Sequence, residues 1–173
     1  MIDRAKFAAV FGEENLVSLP PDRAQEIGLA EDDQWLLSHV GLPRETPLFT
    51  ADVIGRPRLF DVEDFLANGV MNRVLFIGGP MEDFRARFFL DVSEGFIVRM
   101  ALTATGSDTE VVNSSLGAFM EFLYRLMEAG SSLDEAGTLV AALKETDPHA
   151  FREPECWWPT ILSQSAGVSS TLT

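Results

Sequence analysis

The chain has one cysteine, Cys156, and only two histidines, His39 and His149, in 173 residues. A lone thiol excludes an internal disulfide. So few thiols and imidazoles also argue against a zinc site of Cys/His type, and no metal or other cofactor is expected. Basic residues are scarce as well: 13 Lys and Arg face 27 Asp and Glu, leaving a net charge of −14. The deficit is even, with 15 acidic and 9 basic residues in Met1–Arg87 and 12 and 4 in Phe88–Thr173, so it is no acidic tail. Direct binding of DNA or RNA is disfavoured, because no basic stripe exists to release phosphate counterions. An acidic surface steers basic partners or simply keeps a protein soluble. Long apolar runs are missing too. Even VLFIGG at Val74–Gly79 is far too short for a bilayer. The start, MIDRAKFAAVFGEEN, lacks the apolar centre and cleavage site of a secretory signal. The expectation is a cytoplasmic protein that does not enter a membrane.

What is present is an ordinary globular pattern. At 173 residues, 46% of them hydrophobic, the chain can build one substantial core. Ile2–Val10 reads as a short helix behind Asp3, and Leu16–Leu19 as a brief strand closed by Pro20-Pro21. Ala30–Val40 is a helix whose first turn carries Glu31, Asp32 and Asp33, the sign that suits a helix amino terminus. Gly41 and Pro43 stop it. Pro47–Val53 reads as a strand, and Asp61 as the cap of a short helix Val62–Ala67 stopped by Asn68-Gly69. Strands follow at Val74–Gly78, Arg85–Asp91, Phe96–Leu102 and Glu110–Val112. Leu116, Phe119, Met120, Leu123 and Met127 recur at helical spacing up to Gly130. Ser132 to Glu135 forms a capping box for a helix through about Lys144. A tryptophan-rich segment, Ala150–Ser163, comes next, with one of Trp157 and Trp158 expected buried and the other partly exposed. One domain, 1–164, is expected, with 165–173 as a flexible tail.

Matching apolar faces sets a register for the hairpin. It pairs Leu90 with Phe96 and Phe88 with Val98 around a Val92-Ser93-Glu94 loop, with Gly95 in the left-handed region. Arg85, Arg87 and Arg99 then share one sheet face, Arg87 opposite Arg99. Surrounding acids pair with them, or they form a patch that recognises a partner's carboxylates.

Chemistry leaves little trace. No G-x-S-x-G elbow is present, and Ile77-Gly78-Gly79-Pro80 has neither the spacing nor the lysine of a phosphate loop. The carboxylate pairs Glu13-Glu14 and Glu82-Asp83 sit in polar stretches. Asn113-Ser114-Ser115 matches a glycosylation acceptor, which has no meaning in a cytoplasmic chain. The same three residues lie between a strand and a helix. There Ser114 or Ser115 suits the amino-terminal cap, while Asn113 locks the strand end to a neighbouring loop. A small hydrolase using Ser114 or Ser115 needs a histidine or carboxylate folded against it. A non-enzymatic binding protein is the expectation.

Six fragments, in order, carry a family resemblance: FGEENLVSLP (Phe11–Pro20), WLLSHVGLPRETPLFTAD (Trp35–Asp52), VLFIGG (Val74–Gly79), FFLDVSEGFIV (Phe88–Val98), VVNSSLGAFMEFL (Val111–Leu123) and DPHAFREPECWWPTIL (Asp147–Leu162). The chain resembles the SUKH superfamily, named for Syd, US22 and the yeast cell-wall regulator Smi/Knr, and is most similar to its fourth bacterial immunity subgroup. Ile54–Asn72 departs from the pattern and is a place for specificity particular to this protein. The resemblance implies an α+β domain, a central and mainly antiparallel sheet flanked by helices. It also implies an immunity protein that binds a cognate toxin of a polymorphic toxin system, often a nuclease or nucleic-acid deaminase, and blocks it by steric occlusion. The superfamily includes regulatory and scaffold members, which leaves a protein-binding module of that kind as the alternative. Candidate contacts with a partner are Glu31, Asp32, Asp33, Glu82, Asp83, Arg85, Arg87 and Arg99.

Overall fold

A computed structural model describes residues 2–67, 69–104, 106–130 and 136–168. Helix α1, Arg4–Phe11, starts where the Asp3 carboxylate accepts the Lys6 N–H, and it buries Phe7 and Phe11. Strand β1, Leu16–Val17, follows. Helix α2, Pro21–Ile27, then occupies the stretch read as a strand stop. Pro21 stands at its first position, where a missing N–H costs nothing. Helix α3, Glu31–Trp35, runs on into a π-helical turn, Leu36–Val40. Strand β2, Leu42–Pro43, pairs with β1 in a two-stranded sheet.

The main sheet contains β3 (Phe49–Thr50), β4 (Val62–Ala67), β5 (Val70–Pro80), β6 (Ala86–Asp91), β7 (Ile97–Thr103) and β8 (Gly106–Asn113). Every pairing is antiparallel. The order is β3-β5-β6-β7-β8, with β4 on the same side of β5 as β3. A bulge separates Phe76 from Gly78 in β5. Gly78 has φ +141, and a Cβ there would stand 2.4 Å from the Thr50 carbonyl oxygen, so only glycine lets β3 approach. Helix α4, Leu116–Ala129, covers one sheet face with α5, Ala136–Thr146, and α6, Trp157–Val168. The expected fold class is the observed one.

The core is aromatic. The Phe88 ring lies 5.4 Å from Phe119 and 5.0 Å from Trp157, and Phe122 lies 5.0 Å from Trp158. A fully buried ring of this kind contributes about 3 kcal/mol, and each edge contact about 1 kcal/mol more. Trp157 and Trp158 are both buried, contrary to expectation, because they pack edge to face at 4.4 Å between the sheet and α4.

Two further expectations fail. Val62–Ala67 is a strand, paired along its length with β5 from Val62↔Leu75 to Ala67↔Val70. Asp61 caps no helix; its carboxylate accepts the Arg58 N–H. The supposed helix stop is a hairpin connection, with Gly69 at φ +77. Pairing with the open edge of β5 overrides a weak local preference. The β6–β7 register is also one residue away from the expected one, with Leu90↔Ile97, Phe89↔Val98 and Phe88↔Arg99. The Asp91 carboxylate causes this. It accepts the Ser93 and Glu94 N–H groups, lengthening the turn so that Ile97 takes the core position and leaves Phe96 exposed. Gly95 is left-handed as expected, at φ +77.

Helix α6 extends through Val168, past the predicted end of the domain, and residues 169–173 lie outside the described residues. The capping box at 132–135 also lies outside them.

Candidate partner-binding surface

The Asn113-Ser114-Ser115 stretch organises one end of the sheet. The Ser115 hydroxyl accepts the Ala118 N–H at 3.1 Å and is the amino-terminal cap of α4. Ser114 is not the cap; its N–H donates to Asp147 Oδ2 at 2.8 Å. Asn113 is fully buried, donating to the same oxygen at 3.0 Å and accepting the Trp158 indole N–H at 2.8 Å. Strand end, α4, the Asp147 loop and α6 are thereby tied at one buried polar hub. Three quoted fragments, NSSL, DP and WW, meet there because their side chains satisfy one another.

Above this hub lies a cavity of about 740 Å³. Its walls come from α3 (Asp32, Asp33, Trp35), the β6–β7 turn (Ser93–Gly95) and the start of α4, with Glu121 and Arg125 one and two turns further along. Asp33 is 8% exposed, and its carboxylate has no hydrogen bond or ion pair to any described residue. A Cβ on Gly95 would stand 3.6 Å from its Oδ2. Burial, with the neighbouring Asp32 charge second, pushes the Asp33 carboxyl up to about 6. Asp32 and Glu94 are exposed, while Arg125 is held by Glu121 at 2.7 Å. The cavity is therefore negative.

The same end carries an apolar overhang. The Val92 N–H donates to the Arg73 carbonyl, so Val70–Asn72 extend past β6 by three residues, roughly 10 Å. Leu75 faces the helix-side core, and alternation therefore turns Met71 and its partner Leu66 toward that side. They are 64% and 67% exposed.

The opposite end is different. Asp83 Oδ2 lies 3.4 Å from Arg99 Nη2, and Asp83 Oδ1 lies 3.4 Å from Arg85 Nε. Asp108 stands 3.8 Å from Arg99. Glu82 accepts the Trp157 indole N–H at 3.0 Å, and Glu110 accepts the Trp157 backbone N–H at 2.9 Å. The observed register puts Arg99 on the helix-side face with Phe88, and Arg87 on the other face opposite Met100. The three arginines form no common patch. Arg87 donates to the Phe84 and Ala86 carbonyls, and burial, partly offset by Asp83, lowers its pKa. Of the predicted residues, Glu31, Asp32 and Asp33 lie at the cavity end and Glu82, Asp83 and Arg85 at the other, since successive antiparallel connections alternate. Sequence reasoning did not pick out Trp35 or Glu94 as contacts; Leu66 and Met71 fall within Ile54–Asn72, the stretch set apart for specificity, and flank its Asn68-Gly69 turn signal.

Cys156 is buried, and its thiol is pushed up chiefly by desolvation. His39 stacks on Trp35 at 6.2 Å. Among the described residues, no hydrogen bond joins the Ser114 or Ser115 hydroxyl to a histidine or carboxylate, no group of three His, Cys, Asp or Glu is placed to hold a metal, and no helix is long and apolar enough to cross a membrane.

Fold and site together define an α+β domain built on one antiparallel sheet, with an acidic, partly apolar recess at one end. The model of the SUKH-4 immunity protein family matches residues 2–164, and the chain belongs to that family. Family membership supports an immunity function and implies binding to a cognate toxin. Comparison with curated proteins and with solved structures finds no match.

Proposed function

We propose that this protein acts in the cytoplasm as a non-enzymatic immunity protein, seating the cavity end of its sheet on a basic toxin domain and blocking that domain's active site sterically. The observation that carries the reading is the meeting, at one end, of carboxylates without partners among the described residues and an exposed Leu66–Met71 pair. At the opposite end of the sheet Asp83 holds Arg85 and Arg99, and Glu82 holds the Trp157 indole N–H. Unpaired charge gives orientation and rapid association, and apolar side chains at the centre of a contact give most of its energy. A net charge of −14 suits a partner that itself handles nucleic acid, a nuclease or deaminase domain rich in lysine and arginine. The chain needs no chemistry of its own in this mechanism. Burying the toxin's catalytic cleft under an interface of ordinary size, on the order of 800 Å² per partner, excludes substrate.

The test is co-expression with the toxin encoded beside this gene, followed by purification of a complex. Restored growth and a stable complex whose association slows with salt are expected. Continued growth arrest with no complex overturns the reading.

A further inference from the structure

We propose that the acidic cavity is a socket for one basic side chain, an arginine or lysine, inserted by the protein partner. This deepens the reading above and rests on it for the partner's identity as a protein. The argument starts with Asp33. The residue is 8% exposed, its carboxylate has no partner among the described residues, and it faces the open volume of the cavity instead of packed apolar groups. A cation entering that volume supplies the missing donor. Asp32 and Glu94 stand at the same walls, and the only basic residue lining the cavity among the described residues, Arg125, is already held by Glu121.

The amino terminus of α4 works the other way, bringing about half a positive charge. Part of its first turn is already taken up: Ser115 accepts the Ala118 N–H through its hydroxyl and the Phe119 N–H through its carbonyl, leaving the Leu116 and Gly117 N–H groups without a partner among the described residues. Three carboxylates without cationic partners among the described residues outweigh that partial charge, so the site rejects anions. A bare divalent ion does not fit either, because no three acidic, histidine or cysteine ligands among the described residues converge. The other lining groups match a side chain with an apolar stem and a charged head. Leu36 and Ala118 are buried apolar walls for methylene groups, and Trp35, 39% exposed, offers a face to a cation. Leu66 and Met71 project from the same end, which calls for a partner much larger than a free amine.

The experiment titrates the full ¹⁵N-labelled chain with Nα-acetyl-arginine methylamide, the matching lysine amide, the citrulline analogue, spermidine and inorganic phosphate, following amide shifts of Gly95, Gly117 and Ala118. The arginine and the matching lysine amide should shift these signals at millimolar concentration, and citrulline and phosphate should not. Asp33→Asn, nearly isosteric, should abolish the shifts with the rest of the spectrum unchanged. It should also weaken the toxin complex, where one is obtained, about tenfold or more. Phosphate binding in place of the cation overturns the socket, as does tight spermidine binding with the side-chain amides silent. An unaltered toxin affinity in Asp33→Asn and Glu94→Gln also overturns it while leaving the immunity reading standing. Cavity shifts with the amides but no protection of cells from the toxin would instead sink the immunity reading alone.

Discussion

The two ends of the main sheet have similar composition and opposite fates. At the end joining β5 to β6, Glu82, Asp83, Asp108 and Glu110 meet Arg85, Arg99 and two Trp157 N–H groups. At the other end Asp32, Asp33 and Glu94 surround a cavity and have no cationic partner among the described residues, beside an exposed apolar hairpin. The same residue types are structural where the fold supplies their counter-charges and available where it does not. Counting charges in a sequence therefore says little about which of them bind a partner. What decides is whether the register and the loops have already brought an opposite charge within reach.

The comparison is broken most severely from beneath. Asp147→Ala orphans the Asn113 amide and the Ser114 N–H, both held by one carboxylate oxygen. Stability should fall by roughly 2–5 kcal/mol in urea unfolding, and the cavity floor should loosen with it. A loss under 1 kcal/mol would remove the hub from the account.

Asp33 gives the next largest effect. Its carboxyl titrates near 6 in the folded chain and at the ordinary value near 3.8 when unfolded. The folded state thus holds the proton more tightly, and stability falls as pH rises from about 4 through 6. The groups facing it are Asp32 on its own helix, Glu94 on the turn, and the Glu121–Arg125 pair on α4. Asp33→Asn should flatten that slope and raise stability above pH 6 by up to about 3 kcal/mol. A pH profile identical to the native one would show that the carboxylate is not the unsatisfied group described.

The closed end supplies the contrast. Asp83→Ala frees Arg85, which is exposed, and leaves Arg99 with Asp108 at 3.8 Å. A cost of about 1 kcal/mol in thermal unfolding is expected, with toxin affinity unchanged. Smallest for stability is Leu66→Ser with Met71→Ser: within about 0.5 kcal/mol of native, because the pair is exposed. Its toxin affinity should nevertheless fall, by calorimetry, more than that of Asp83→Ala. Equal losses at the two ends would erase the distinction.

Much of the fold was legible in the sequence. The helical spacing of Leu116, Phe119, Met120 and Leu123, and the strand-like stretches around Val74, Phe88 and Val98, were enough to mark a helix and the central strands, and the six-fragment resemblance implied the α+β domain they belong to. They sufficed because burying an apolar face is a local pattern with a fixed period. Less of the site could be read. Glu31, Asp32 and Asp33 were picked out for their charge, but nothing local distinguishes Asp33, buried, from the exposed pair beside it. The arginine face failed over a single residue of register, fixed by the Asp91 side chain bonding the Ser93 and Glu94 N–H groups. A period-2 pattern with apolar residues at Phe96, Ile97 and Val98 suits either register, and turn geometry chose between them.

The sequence by itself determined a helix cap at Ser114 or Ser115, the main helices and strands and the acidic charge, because these follow from side-chain type and spacing along a few turns of chain. Only the tertiary structure decided that Val62–Ala67 pairs with β5, that both tryptophans are interior, and that Asp33 lies buried beside an open cavity while Asp83 holds two arginines. Pairing, burial and neutralisation all depend on residues distant in sequence, and their energies exist only once the chain has brought those residues together.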